Sequence, residues 1–383
     1  MTGAGKTQKR RAGGRRIRRL AGSAAILAFV AALTYSLAVG GGRPDLSGVK
    51  RALAGLRGVE RADEFICAPG YDAAFADLDG GFVTAGALGF KVFGADGQQL
   101  AHESFKMSEP MTSSSGGHAV VYDAGGTSVR LIDSAGGLAP IVEPELEIIS
   151  AAINGNGWLA LCTREGGGYK GSVTVYGADG DMKYKWYSAQ GYIMSAALSR
   201  DNRELAVLSL GDTGGRITLL KLQSEQVQGT FDLAGGVILE IKYTPDGRLL
   251  AVAENSLISV DGAGTGAVVR DFSGKYLGGW AIGDDGLTAL LLLDYGVGDA
   301  GTLETYDARG AALGAVSTDS RCISLSVNGG VAVLWRDRLS LYDASLRLES
   351  EFHDVADVVS ALARADGAAL AVGRGVAKVY DSA

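Results

Sequence analysis

Short apolar runs alternate along most of the chain with turns rich in Asp, Asn and Gly, and the alternation repeats. The stretch "YTPDGRLLAVAENSLISVDGAG", Tyr243 to Gly264, shows the unit: two apolar runs, each closed by a polar, glycine-bearing turn. Turns of this kind recur as "LDGG" at 78, "SGGH" at 115, "NGNG" at 154, "RDNR" at 200, "PDGR" at 245, "DDGL" at 284, "NGGV" at 328 and "ADGA" at 365. Apolar runs of this length bounded by turn residues predict strands. A second apolar strand follows each turn, as in "WLALC", "LLAVA" and "VAVLW". A third often ends in an aromatic residue before Asp or Gly, as in "VTVYGADG", "LETYDARG" and "LSLYDAS". The fourth is more polar, as in "QQLAHESF" and "LRLESEF".

Four short strands at a period of about 40 residues predict an all-β fold, a β-propeller of about eight four-stranded blades. Seven is the fallback, because the second unit is weakly marked. One such sheet cannot hide both faces, so blades stack around an axis and inner strands read as nearly continuous apolar runs. The polar fourth strand suits the rim, where a hydrophobic edge invites aggregation. The last unit stops after its third strand, at "VAKVYDSA". The extended "RADEFICA", Arg61 to Ala68, is expected to supply the missing strand and close the ring.

Composition agrees with many tight turns: 58 of 383 residues are glycine and only 6 are proline. Glycine reaches positive φ at no steric cost. The net charge of −7 hides an asymmetry. Residues 1–19 hold eight Lys/Arg and no acid, leaving 28 basic residues against 43 acidic ones. A body that acidic repels phosphate backbones, so no nucleic-acid partner is expected. Three scattered cysteines, Cys67, Cys162 and Cys322, form no disulfide framework or zinc pattern.

Residues 20–40 follow the basic run and are uncharged. About twenty residues at 1.5 Å each cross a hydrocarbon layer of about 30 Å. This segment predicts a transmembrane helix that partners the lipid bilayer, longer than the apolar region of a cleaved signal peptide. Whether it is cleaved stays open, because the exit "SLAVGGG" is ambiguous. The basic tail, 1–19, is expected in the cytoplasm and everything after the anchor outside it. Residues 41–60 read as a juxtamembrane linker with a short helix, Val49, Ala52, Leu53 and Leu56 falling at helical spacing. The propeller domain is expected over 61–383.

"YTPDGRLLAVA" with "SLYDAS" resembles the WD40-type and related bacterial propellers, with Tyr-Asp where the WD dipeptide usually stands. The Gly-His that opens a true WD repeat is missing. A single N-terminal anchor before such a domain resembles an uncharacterised family of bacterial membrane-anchored WD40-like β-propeller proteins. That resemblance implies a fold and a location at the membrane, and no activity.

The motifs that mimic chemistry are weak. "GAGKT" at Gly3–Thr7 lacks the upstream glycine, strand and helix of a phosphate-binding loop. "GVGDAG", Gly296 to Gly301, needs a following helix to bind a dinucleotide, and "TLETYDARG" predicts a strand. His102, His118 and His353 fall in different units, without a nucleophile elbow or H-E-x-x-H. The Asp–Gly turns lack the calcium-loop pattern and read as turn formers. Trp158, Trp186, Trp280 and Trp335 occupy different positions in their units, unlike the recurrent tryptophan of quinone-type propellers. No metal, cofactor or catalytic residue is expected.

The loop between second and third strands is short in most units and long in three: 164–172, 210–216 and 294–301. Such loops share one face of a propeller, and elongated loops on a rigid scaffold are common binding elements. Tyr169, Lys170, Asp212, Arg216, Tyr295 and Asp299 form the candidate patch. The leading expectation is a membrane-tethered interaction module for protein or cell-envelope ligands. The alternative is a hydrolase- or lyase-type propeller enzyme with carboxylates at the central channel. Inner strands such as "VILEIKY" and "IMSAAL" offer little polar material beyond Glu240, which disfavours it.

Overall fold

The computed structural model describes residues 64–67, 73–133, 135–139, 143–224 and 226–382. They form 32 strands arranged in eight four-stranded antiparallel sheets. In seven sheets the strands follow chain order, innermost first. Blades 1 to 7 therefore cover 74–103, 110–139, 148–188, 192–234, 238–271, 276–318 and 322–352. The weak second unit is a full blade whose outer strand is described over Leu138–Ala139. Eight blades, not seven, complete the ring.

Blade 8 is built from both ends of the domain. Val358–Ala363, Ala369–Gly373 and Val376–Tyr380 supply three strands, and Glu64–Ile66 pairs with the last as the fourth. Glu64, Phe65 and Ile66 face Lys378, Ala377 and Val376, as the truncated last unit requires. Phe65 is fully buried and meets the rings of Phe82 at 5.1 Å and Phe93 at 6.3 Å. This three-ring contact seals the seam between blades 8 and 1.

The core consists of eight hydrophobic clusters, one in each seam between neighbouring blades. A blade thus gains its burial only from its neighbours, which is why an unclosed ring would leave two apolar faces wet. Second strands such as Leu159–Thr163, Leu249–Ala253 and Val331–Trp335 are buried at every position. The outer Val227–Ala234 alternates between exposed and half-buried, as expected of a rim edge.

The Asp turns close hairpins as expected. Asp261, Asp307 and Asp343 each accept backbone N–H groups two and four residues on. Gly264 and Gly310 take the positive-φ position of this turn, at +86° and +81°. Leu346 occupies the same position at +60°, a conformation that costs a non-glycine residue about 1 kcal/mol.

The basic tail 1–19, the apolar segment 20–40 and the linker 41–60 lie outside the described residues. Among the described residues no helix is long and apolar enough to cross a membrane.

Candidate functional site

Up-and-down strands in every blade divide the loops between two faces. Turns joining first to second and third to fourth strands lie on one, here the turn face. Hairpins joining second to third strands, and the links between blades, lie on the other, the loop face.

On the loop face the three sequence-selected segments differ. The blade 3 loop runs over 164–170, between Leu159–Thr163 and Gly171–Tyr176. The blade 6 loop runs over 294–300, between Thr288–Leu293 and Gly301–Tyr306. "GVGDAG" therefore opens onto a strand, as the sequence indicated. The blade 4 segment is not a long loop. Glu204–Gly211 and Gly214–Lys221 are eight-residue strands joined by a two-residue turn, so the expected loop at 210–216 is an extended hairpin. Continuous backbone pairing through Gly211 and Gly214 keeps it in the sheet. Asp212 sits in its tip and Arg216 on its third strand.

Tyr169, Lys170 and Arg216 come together around the 188–192 link between blades 3 and 4. The Lys170 backbone N–H donates to the Ser188 carbonyl at 2.7 Å, pinning the loop to the outer strand. Its ammonium lies 4.9 Å above the Tyr192 ring and 3.4 Å from the Tyr192 hydroxyl. Tyr169 and Tyr187 meet at 4.9 Å between centroids, and Lys185 covers Tyr187 at 4.8 Å. Arg216 forks onto Asp232 at 2.6 and 3.2 Å and donates to the Gln190 side chain at 3.1 Å. All three tyrosines are exposed, Tyr192 by 63%. Tyr295, 70% exposed, and Asp299 lie on blade 6, with blade 5 intervening, so the six selected residues form two groups. Tyr187 and Tyr192 escaped the sequence reading because they flank a blade link instead of occupying a long loop. The alternation of Lys and aromatic residues in "KYKWYS" was the available signal.

The central channel is more polar than its sequence suggests. Glu240 accepts from the Trp280 indole N–H at 2.7 Å across the seam of blades 5 and 6, and burial pushes its carboxyl up against the pull of Lys242. Two residues on, the Lys242 ammonium contacts Asp284 at 2.7 Å and donates to the Ile282 carbonyl at 3.0 Å. Asp284 also accepts from the Ser115 hydroxyl at 2.5 Å. Ser115 belongs to blade 2 and Asp284 to blade 6, four blades away in a ring of eight, so this bond crosses the axis. Burial pushes the Asp284 carboxyl up, but the Lys242 charge and the hydrogen bonds from Ser115 and the Gly116 N–H hold it below the ordinary range.

Between blades 8 and 1 the buried Arg364 guanidinium stands 3.4 Å from Asp77 and donates to the Gly81 carbonyl at 3.3 Å. Burial lifts the Asp77 carboxyl to about 6 despite the opposing charge of Arg364. Asp77, Lys242 and Asp284, with Thr112 to Ser115 and Asn328, line a cavity of about 170 Å³ at the turn-face mouth. The expectation that inner strands hold little polar material beyond Glu240 is thus corrected. Asp284 was read only as part of a turn, Asp77 on its inner strand was passed over, and "TSSS" in blade 2 was the missed signal.

The remaining residues with possible chemistry are held singly. His102 bonds Ser104 at 3.1 Å, and His353 lies 3.3 Å from Glu351. His118 packs against Gly157 in the seam of blades 2 and 3. Burial pushes the Cys162 thiol up to about 12, so it is not an available nucleophile. The tryptophans take four different places. Trp158 precedes a second strand, Trp186 lies on an outer strand, Trp280 on an inner one, and Trp335 ends a second strand.

Comparison with known proteins agrees with the architecture. The C-terminal WD40 domain of Sif2 superposes with a TM-score of 0.59 at 11% identity, over 84% of this chain and 97% of that one. BamB from Moraxella catarrhalis superposes with a TM-score of 0.52 at 16% identity, over the same shares. At such identities the likeness shows the propeller fold alone. No curated protein matches the sequence. A family profile, Family of unknown function (DUF5711), matches residues 65–354, from the ring-closing Phe65 to just beyond blade 7. The chain belongs to this family of unknown function, and the matched residues of this member fold as a propeller.

Proposed function

We propose that this protein is an interaction module that docks a protein partner on its loop face, over blades 3 and 4. The observation that carries the reading is the exposed group of Tyr169, Tyr187 and Tyr192, ordered by Lys170 and Lys185 and flanked by Arg216. Tyrosine offers large contact area at low conformational cost, and Tyr and Arg dominate the energetics of protein interfaces. Ordering before binding lowers the entropy that association must overcome. The Sif2 and BamB likeness supports the reading only as analogy of fold. The same proposal places the propeller outside the cytoplasm, tethered by residues 20–40. The support is their uncharged length and the eight basic residues before them.

The test is a crosslinking capture from intact cells with the full chain and with Tyr169→Ala/Tyr192→Ala. The double variant is expected to lose the partner captured by wild type while remaining folded. Capture of the same partner at the same yield would sink the loop-face reading. Protease protection in intact cells tests the location separately, and a propeller shielded with the cytoplasmic contents would reject it.

A further inference from the structure

The turn-face mouth of the channel carries a second site that the loop-face proposal does not use. Its cavity of about 170 Å³ is small for a drug-sized ligand. A cavity of about 150 Å³ holds one benzene ring, so this one takes a single six-membered ring with its substituents.

The lining decides which ring. The formal charges at the mouth occur in pairs, Asp284 with Lys242 and Asp77 with Arg364. An ionic ligand would meet no net opposite charge there and would have to break a pair. Uncharged capacity is instead in excess. Thr112 spends its hydroxyl on the Phe75 carbonyl and Ser115 on Asp284. Ser113, Ser114 and the Asn328 amide line the same cavity with no side-chain partner among the described residues. Asp77 is not spare in the same way, because its Oδ1 is shielded from solvent and stands 3.4 Å from the Arg364 guanidinium. These half-buried hydroxyl and amide groups are open to a ligand carrying several hydroxyls, which meets them as both donor and acceptor. Phe75, Val327 and Leu362 complete the wall with an apolar surface suited to C–H groups. The rim is low because Gly116 and Gly117 follow Ser115. No side chain fits at Gly116, where a Cβ would lie 2.7 Å from the Gly155 Cα.

We propose that this mouth binds one neutral polyhydroxylated ring, a pyranose or cyclitol of monosaccharide size, through Ser113, Ser114 and Asn328. The inner strands that present these groups are held by inter-blade bonds, so the site is preorganised.

Calorimetric titration of the purified full chain tests it, with glucose, N-acetylglucosamine and myo-inositol as neutral probes. Phosphate, glutamate and putrescine serve as charged ones. At least one neutral ring is expected to bind and raise Tm, and the charged probes to do neither. Ser114→Ala and, separately, Asn328→Ala are expected to weaken that binding at least tenfold with Tm nearly unchanged. Tyr169→Ala/Tyr192→Ala is expected to leave it intact, which separates this site from the loop face. Silence of all three neutral probes, meaning a cavity filled by water alone, would overturn the proposal. So would tighter binding of a charged probe, or neutral binding indifferent to both substitutions.

Discussion

The two faces of the ring are built from the same hairpins and differ in what their side chains contact. On the turn face, polar groups reach the next blade or cross the axis. Asn154 donates to the Ser199 carbonyl at 2.9 Å, Asp285 accepts from the Gly329 N–H at 3.1 Å, and Ser115 reaches Asp284. On the loop face, Tyr169, Tyr187 and Lys185 contact one another within blade 3, Lys170 reaches only the exposed Tyr192 of blade 4, and the rings stay open to solvent. A face whose groups join blades contributes stability, while one whose groups stack on the surface keeps its contacts available. The difference teaches where mutation should unfold this protein and where it should only silence it.

The largest expected effect is at the ring-closing seam. Arg364→Ala leaves Asp77 without its opposing charge in a buried site, and loss of one partner from such a pair costs about 3–5 kcal/mol. Denaturant unfolding should show it, and a change below about 1 kcal/mol would mean that this seam is not held as described.

The next effect separates the two channel carboxylates by pH. Asp77 is raised to about 6 in the folded protein from 3.8, so the native state takes up its proton first as pH falls. Stability from this group therefore increases between about pH 6 and pH 4, by on the order of 3 kcal/mol. Asp284 is lowered, so its contribution is present above its ordinary range and lost below it. Comparing wild type with Asp77→Asn and with Asp284→Asn across pH 3 to 7 should give differences of opposite slope. Equal slopes would break the comparison.

Asn154→Ala removes two inter-blade bonds, to Ser199 and Asn202, and the acceptor that closes its own turn. About 1–3 kcal/mol is expected, read as a lower midpoint with unchanged slope in urea. On the opposite face, Tyr192→Ala is expected to change stability by less than about 1 kcal/mol, the worth of its exposed cation–π contact with Lys170. Loss of several kcal/mol there would show that the loop face also holds the ring.

Much of the architecture was legible because each blade repeats a local pattern. Apolar second strands, Asp–Gly turns and a polar fourth strand follow from alternation and turn chemistry within about 40 residues. Even the closure by residues 64–66 followed from counting strands, since a blade lacking its fourth strand requires one. The candidate site was legible only in part. Tyr169 and Lys170 stand in a long loop, but the extended hairpin at Arg216 reads the same way as a loop until pairing decides it. Tyr295 and Asp299 share a face with them, yet blade 5 keeps them apart.

By itself, then, the sequence determined the blade, the number of turns and the way the ring closes, because these depend on neighbours along the chain. Only the tertiary structure decided which groups meet across it. Ser115 and Asp284 are 169 residues apart, and Asp77 and Arg364 come from the first and last blades. Closing the ring brings them within reach in a partly desolvated channel. There, Asp284 and Ser115, which read as turn residues, bond each other across the axis beside a cavity.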